Sequence, residues 1–161
     1  MKKINTYNEF LNENKSEILV QIGDYVLTQH DLETKHKNQI ESYYGDFTED
    51  TINNALWTLY DIQQLYDKGG IIYRIIFLNE GEELNEDNLG HHWLPDKGDT
   101  DNIVDIWRWR DDMKGTPYVI TANTPPKNVT IADDYFANLE EHEVLVKDPK
   151  KLELISFEKY K

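Results

Sequence analysis

Eight consecutive residues, Ile71-Ile72-Tyr73-Arg74-Ile75-Ile76-Phe77-Leu78, carry seven apolar or aromatic side chains around a single arginine. A β-rich run of this kind, apolar at almost every position, reads as a central strand. What precedes it is equally legible. Between Thr48 and Lys68, Ile52, Leu56, Leu59, Ile62 and Tyr66 recur along one stripe, with Ala55 and Leu65 beside it. That spacing predicts an amphipathic helix. Thr48 suits its N-cap, Glu49 and Asp50 suit the positive end of its dipole, and Lys68 suits the negative end. Gly69-Gly70 supplies a left-handed stop before the strand begins.

The rest of the chain is arranged around this helix–strand unit. Glu17 to Ile22 alternates partly and reads as a short strand. Thr28 to Tyr44, with sparse apolar residues at Leu32, Ile40, Tyr43 and Tyr44, reads as one surface helix broken at Gly45-Asp46. Residues 80–88 are acidic and loop-like or weakly helical. Ile103 to Arg110 fits helix or strand. Tyr118 to Ala122 reads as a strand closed by Pro125-Pro126. Glu141 to Val146 and Leu152 to Phe157 read as two further strands joined by a turn at Lys147-Asp148-Pro149-Lys150. The first part is helix-rich and the second strand-rich. A chain of 161 residues of this composition reads as one α+β domain.

The formal net charge of −14 disfavours direct binding to a nucleic-acid backbone or an anionic membrane. Such acidity serves solubility, or it mimics a nucleic acid and fills a basic groove on another protein. There is no cysteine, which excludes disulfides, thiolate catalysis and cysteine-based zinc sites. No stretch is long and apolar enough to cross a membrane. The N-terminus lacks the apolar core of a secretory signal.

Three constellations can carry chemistry. Arg74 inside an apolar strand is costly unless it is paired or faces a cleft. It is either half of a structural ion pair or a guanidinium fork for a phosphate or carboxylate. On a strand, Glu141 and Glu143 point to one face, where two carboxylates repel. They form either a solvated acidic edge or a pair that a reaction uses. Trp107-Arg108-Trp109-Arg110, if extended, puts two indoles on one face and two guanidinium groups on the other. That is core packing with solvated arginines, or a stacking and phosphate surface. His91 and His92 are adjacent, so in a strand they face opposite ways, which argues against a shared metal ion.

Taken together, Ile72-Tyr73-Arg74 and Glu141-His142-Glu143-Val144-Leu145-Val146 resemble the first and third motifs of the arginine-serine-glutamate class of mono-ADP-ribosyltransferases. The strand Leu152 to Phe157 then follows as in that class, and the likeness covers roughly residues 71–157. The resemblance implies a mixed or antiparallel two-sheet core behind a helical N-terminal part, with NAD as substrate and no metal. It implies that Arg74, with Tyr73, binds the NAD pyrophosphate. Glu143 then stabilises the oxocarbenium-like ribose, and Glu141 positions or deprotonates an acceptor, an arginine side chain in that class. The middle serine-threonine-serine motif is missing, because no serine lies between Ser42 and Ser156. Gly90-His91-His92-Trp93 is the nearest stand-in. In it, His92 would hold the catalytic glutamate or a ribose hydroxyl and Trp93 would pack on nicotinamide. Thr121 with Asn123-Thr124 is the alternative. A transferase fold retained only for binding is a further reading of the missing motif.

At the N-terminus, Ile4, Tyr7, Phe10 and Leu11 fall at helical spacing. Thr6-Tyr7-Asn8-Glu9-Phe10-Leu11-Asn12-Glu13 resembles the capsid-targeting peptide of internal head proteins of T-even-type phages. Leu11-Asn12-Glu13 matches the apolar-x-Glu pattern after which the head protease of those phages cuts. This resemblance divides the chain into a targeting segment, 1–15, and a transferase-like domain, 16–161. It implies packaging in the phage head, delivery to the host cytoplasm and a host protein acceptor in the transcription or translation machinery. The competing expectation is a non-enzymatic acidic phage protein that occupies a basic site on a host protein.

Overall fold

The computed structural model describes residues 17–108 and 114–161. The N-terminal segment with its targeting resemblance, and Trp109 and Arg110, lie outside the described residues. Strands β1 (Ile18–Ile22) and β2 (Tyr25–Thr28) form an antiparallel hairpin. Its two-residue turn starts at Gly23, where φ is 59°. Thr28 ends β2 and also caps the next helix. Its hydroxyl accepts from Asp31 N, and the Asp31 carboxylate accepts from Thr28 N.

From sequence, Thr28–Tyr44 reads as one helix. The segment is instead two short helices, α1 (Gln29–Thr34) and α2 (Lys37–Tyr44). The break at Lys35-His36 is held by the His36 ring, which stacks on Phe136 with centroids 3.9 Å apart. Leu32 and Ile40 are fully buried, one from each helix, so both pieces are anchored separately to the core.

Helix α3 (Glu49–Lys68) follows the sequence stripe closely. Thr48 caps it and exchanges hydrogen bonds with Thr51. Leu56, Leu59 and Ile62 are almost wholly buried, each contributing about 1.5–3 kcal/mol of apolar burial. The helix packs on β1, on the strand Val129–Thr130 and on α2. It stops at Gly69 (φ 71°), where a Cβ would lie 2.5 Å from the Thr124 carbonyl oxygen. Only glycine lets the helix end pass that close to the neighbouring strand.

Strand β3 (Gly70–Leu78) pairs along its whole length with β5 (Thr116–Thr124), and β5 pairs with β8 (Glu153–Lys159). A second three-stranded sheet has the order β4 (His92–Trp93), β7 (Val144–Val146), β6 (Val129–Thr130). All pairings are antiparallel. The two sheets meet at one bridge between Tyr73 of β3 and Leu94, just beyond β4, with backbone hydrogen bonds in both directions. Helix α4 (Asp99–Arg108) covers one face of β3 through Ile103 and Val104. The fold is α+β, with four helices and antiparallel sheets among the described residues. No described helix is long and apolar enough to cross a membrane.

Of the two readings of Ile103–Arg110, helix is the one taken through Arg108, the last described residue of that run. Glu141 to Val146 is not one strand. Leu139–Glu141 is a 3-10 turn, His142 is left-handed at φ 53°, and the strand begins at Val144. The last two strands are joined by a turn, as expected, but they do not pair. β7 and β8 belong to different sheets, and the segment between them contains a 3-10 turn at Pro149–Lys151 capped by Asp148.

Candidate functional site

Alternation along β3 sorts its side chains between two environments. Ile72 and Ile76 face the main core, while Tyr73, Ile75 and Phe77 face the smaller cluster with Leu94, Ile103 and Val104. Arg74 shares the face of Ile72 and Ile76. Its Nη1 donates to the His92 carbonyl at 2.5 Å. Gly90 (φ 81°) makes the space for it, since a Cβ there would lie 2.9 Å from Arg74 Cζ and Nη2. The Arg74 Nε is buried and has no hydrogen-bond partner among the described residues. Burial pushes the Arg74 guanidinium towards neutrality, and the nearby Glu143 charge opposes that shift.

Strand β4 brings the next component. Trp93 pairs with Val144 and His92 with Leu145. Glu143 directly precedes Val144, and Leu94, directly after Trp93, is the residue that bridges to Tyr73. Arg74, His92 and Glu143 therefore come from three neighbouring chain segments across the seam between the sheets. His92 Nδ1 lies 3.4 Å from Glu143 Oε1, with the His92 side chain 58% exposed and that of Glu143 20% exposed.

Glu143 is an unusual carboxyl. Its pKa is pushed up to about 8, mainly by burial, and then by its hydrogen bond with Glu141 and by the Glu141 charge. Asp134 adds to the rise, while Arg74 pulls the other way. A hydrogen bond between two carboxyls needs a proton, which the desolvated member retains. The left-handed His142 between them is fixed by its Nδ1, 2.9 Å from Asp99 Oδ1 in the first turn of α4. Glu141 and Glu143 thus meet through a turn held by His142, not through strand alternation.

Arg74, His92, Glu141 and Glu143 come together. Tyr73 and Trp93 do not join them. Tyr73 faces the opposite side of β3 and packs on the smaller cluster. Trp93 is fully buried, and its Nε1 donates to the Gly90 carbonyl at 2.9 Å. Its ring offers no face for nicotinamide, so its expected stacking role is withdrawn. His91 turns away from His92 and bonds the Val146 carbonyl at 2.7 Å through Nδ1. Among the described residues no group of three His, Asp or Glu side chains is placed to hold a metal. Thr121 lies on β5 opposite Tyr73 and Ser156, in the sheet of Arg74 but on the far side from β4. Gly90 and Asp99 are the site's unexpected members. A lone glycine before a polar pair hints at close backbone approach, whereas nothing local marks Asp99.

Comparison with models of protein families, with curated proteins and with solved structures gives no match for this chain.

Proposed function

We propose that the chain transfers ADP-ribose from NAD to a host protein, with Arg74, His92, Glu141 and Glu143 as its working residues. The observation that carries this reading is the contact of His92 with Glu143 beside Arg74, across three adjacent segments. It supports His92 in the position left open by the missing serine motif. Arg74 would donate to the pyrophosphate as a charge-assisted fork. The carboxylate of Glu143 would face the ribose, where positive charge develops as the C–N bond to nicotinamide breaks. The bonding electrons leave with nicotinamide, which departs neutral. The acceptor then bonds to the ribose carbon and gives up its proton, with Glu141 as the base. His92 would orient Glu143.

An arginine acceptor and a target in transcription or translation follow from the resemblances. The test is incubation of the purified protein with labelled NAD and a host-cell lysate, beside Glu143→Gln. Label on lysate proteins that disappears with the variant supports the reading. Absence of both label and nicotinamide release with the unaltered protein overturns it.

A further inference from the structure

Helix α3 buries one stripe and leaves the opposite one bare. Asn53, Asn54, Trp57, Tyr60 and Gln64 are exposed along that outer stripe. Trp57 is 70% exposed and Tyr60 39%. An indole this exposed on a well-capped helix contributes nothing to the core, and Trp and Tyr are the side chains that most often anchor protein interfaces. Asp61 lies one turn beyond Trp57 on the same stripe. Beside it opens a cavity of about 320 Å³, lined by Asp61, Gln64 and Lys68 of α3 and by Pro95 and Asp96 after β4.

We propose that this face of α3 docks a basic protein surface, with Trp57 as the aromatic anchor and the Asp61–Asp96 cavity receiving an arginine side chain. Asp61 and Asp96 outnumber Lys68 in the lining, so the cavity carries a net negative charge that selects this occupant. Asp61 is held above its usual range by burial and by the charges of Asp96 and Asp99, and a cation seated there relieves that repulsion. A guanidinium in the cavity can donate to both carboxylates while a neighbouring cation lies over the Trp57 ring. A second copy of the chain fits poorly, since each copy brings a net charge of −14 to the contact. The same charge rejects a nucleic acid. The face uses none of Arg74, His92, Glu141 and Glu143, so the proposal stands apart from the transfer reaction.

The test uses the full chain and two fluorescent peptides, nona-arginine and nona-lysine, with binding followed by anisotropy at low and moderate salt. Trp57→Ala and Asp61→Asn are compared with Glu153→Gln, an exposed carboxylate on β8. Circular dichroism verifies that each variant is folded. The proposal expects nona-arginine to bind more tightly than nona-lysine, and each α3 substitution to weaken it about tenfold or more, equivalent to roughly 1.4 kcal/mol. Glu153→Gln should leave binding near the unaltered value. Equal weakening by all three substitutions would mean diffuse polyanion attraction and would overturn the proposal. So would unchanged binding with Trp57→Ala, no preference for arginine, or concentration-dependent dimers that Trp57→Ala abolishes.

Discussion

Replacing Glu143 with Gln removes a titration and keeps the shape. The folded protein holds this carboxyl at about 8, against an ordinary 4.5. Between those values the native state binds more protons than the unfolded chain, so native stability falls as pH rises across that window. The contribution is fully present below the unfolded value and is lost by about pH 8. At about 1.4 kcal/mol per unit, a shift of about 3.5 units sets a ceiling near 5 kcal/mol. The side chain retains 20% exposure, and water reaching it lowers the expectation to about 2 kcal/mol. The Gln amide can still donate to Glu141, as the protonated carboxyl does. Urea denaturation of both proteins, from pH 5 to pH 8, is the assay. The variant should gain about 2 kcal/mol relative to the unaltered protein as pH rises. A difference that does not change with pH, or an NMR titration of Glu143 near 4.5, would refute the reasoning.

The remaining expectations concern its neighbours. If Glu143 must be ionised to stabilise the ribose cation, nicotinamide release should rise with pH through a midpoint near 8, and a rate falling over pH 6–9 would contradict that role. Arg74→Met should change stability by less than about 1 kcal/mol, because it removes a buried charge together with its unpaired Nε. It should abolish NAD use in the nicotinamide assay. A loss of about 3–5 kcal/mol would instead mark Arg74 as half of a structural ion pair. Gly90→Ala forces a Cβ to 2.9 Å from the guanidinium at φ 81°, and denaturant melts should show a loss of about 1–3 kcal/mol.

How far the sequence discloses this arrangement depends on whether the determinant is local. The helix Glu49–Lys68 and the strand Gly70–Leu78 were legible because periodicity, caps and the glycine stop all agreed over a long window. The break at Lys35-His36 was not, since the stacking of His36 on Phe136 joins residues a hundred positions apart. The Glu141–Glu143 pair is visible in the sequence, but the reason for their meeting is not. Strand alternation suggested one face, whereas a left-handed His142 tied to Asp99 brings the carboxyls together. Trp93 beside two histidines resembles a ligand contact in sequence. Its position opposite Val144 in the short central strand makes it core. A two-residue strand leaves no periodic trace from which to read that.

The joint between the two sheets gives the site a mechanical character. Tyr73 and Leu94 exchange two backbone hydrogen bonds, which on net contribute about 1 kcal/mol each. Arg74 stands on one side of that joint and Glu143 on the other. If the joint loosens, each sheet can keep its own ladder while the guanidinium and the carboxyl part. The cation that steadies Glu143 is then withdrawn, and its proton is held more firmly. Charge state and sheet geometry are coupled at this line, and the amides of Tyr73 and Leu94 are where hydrogen exchange would report it.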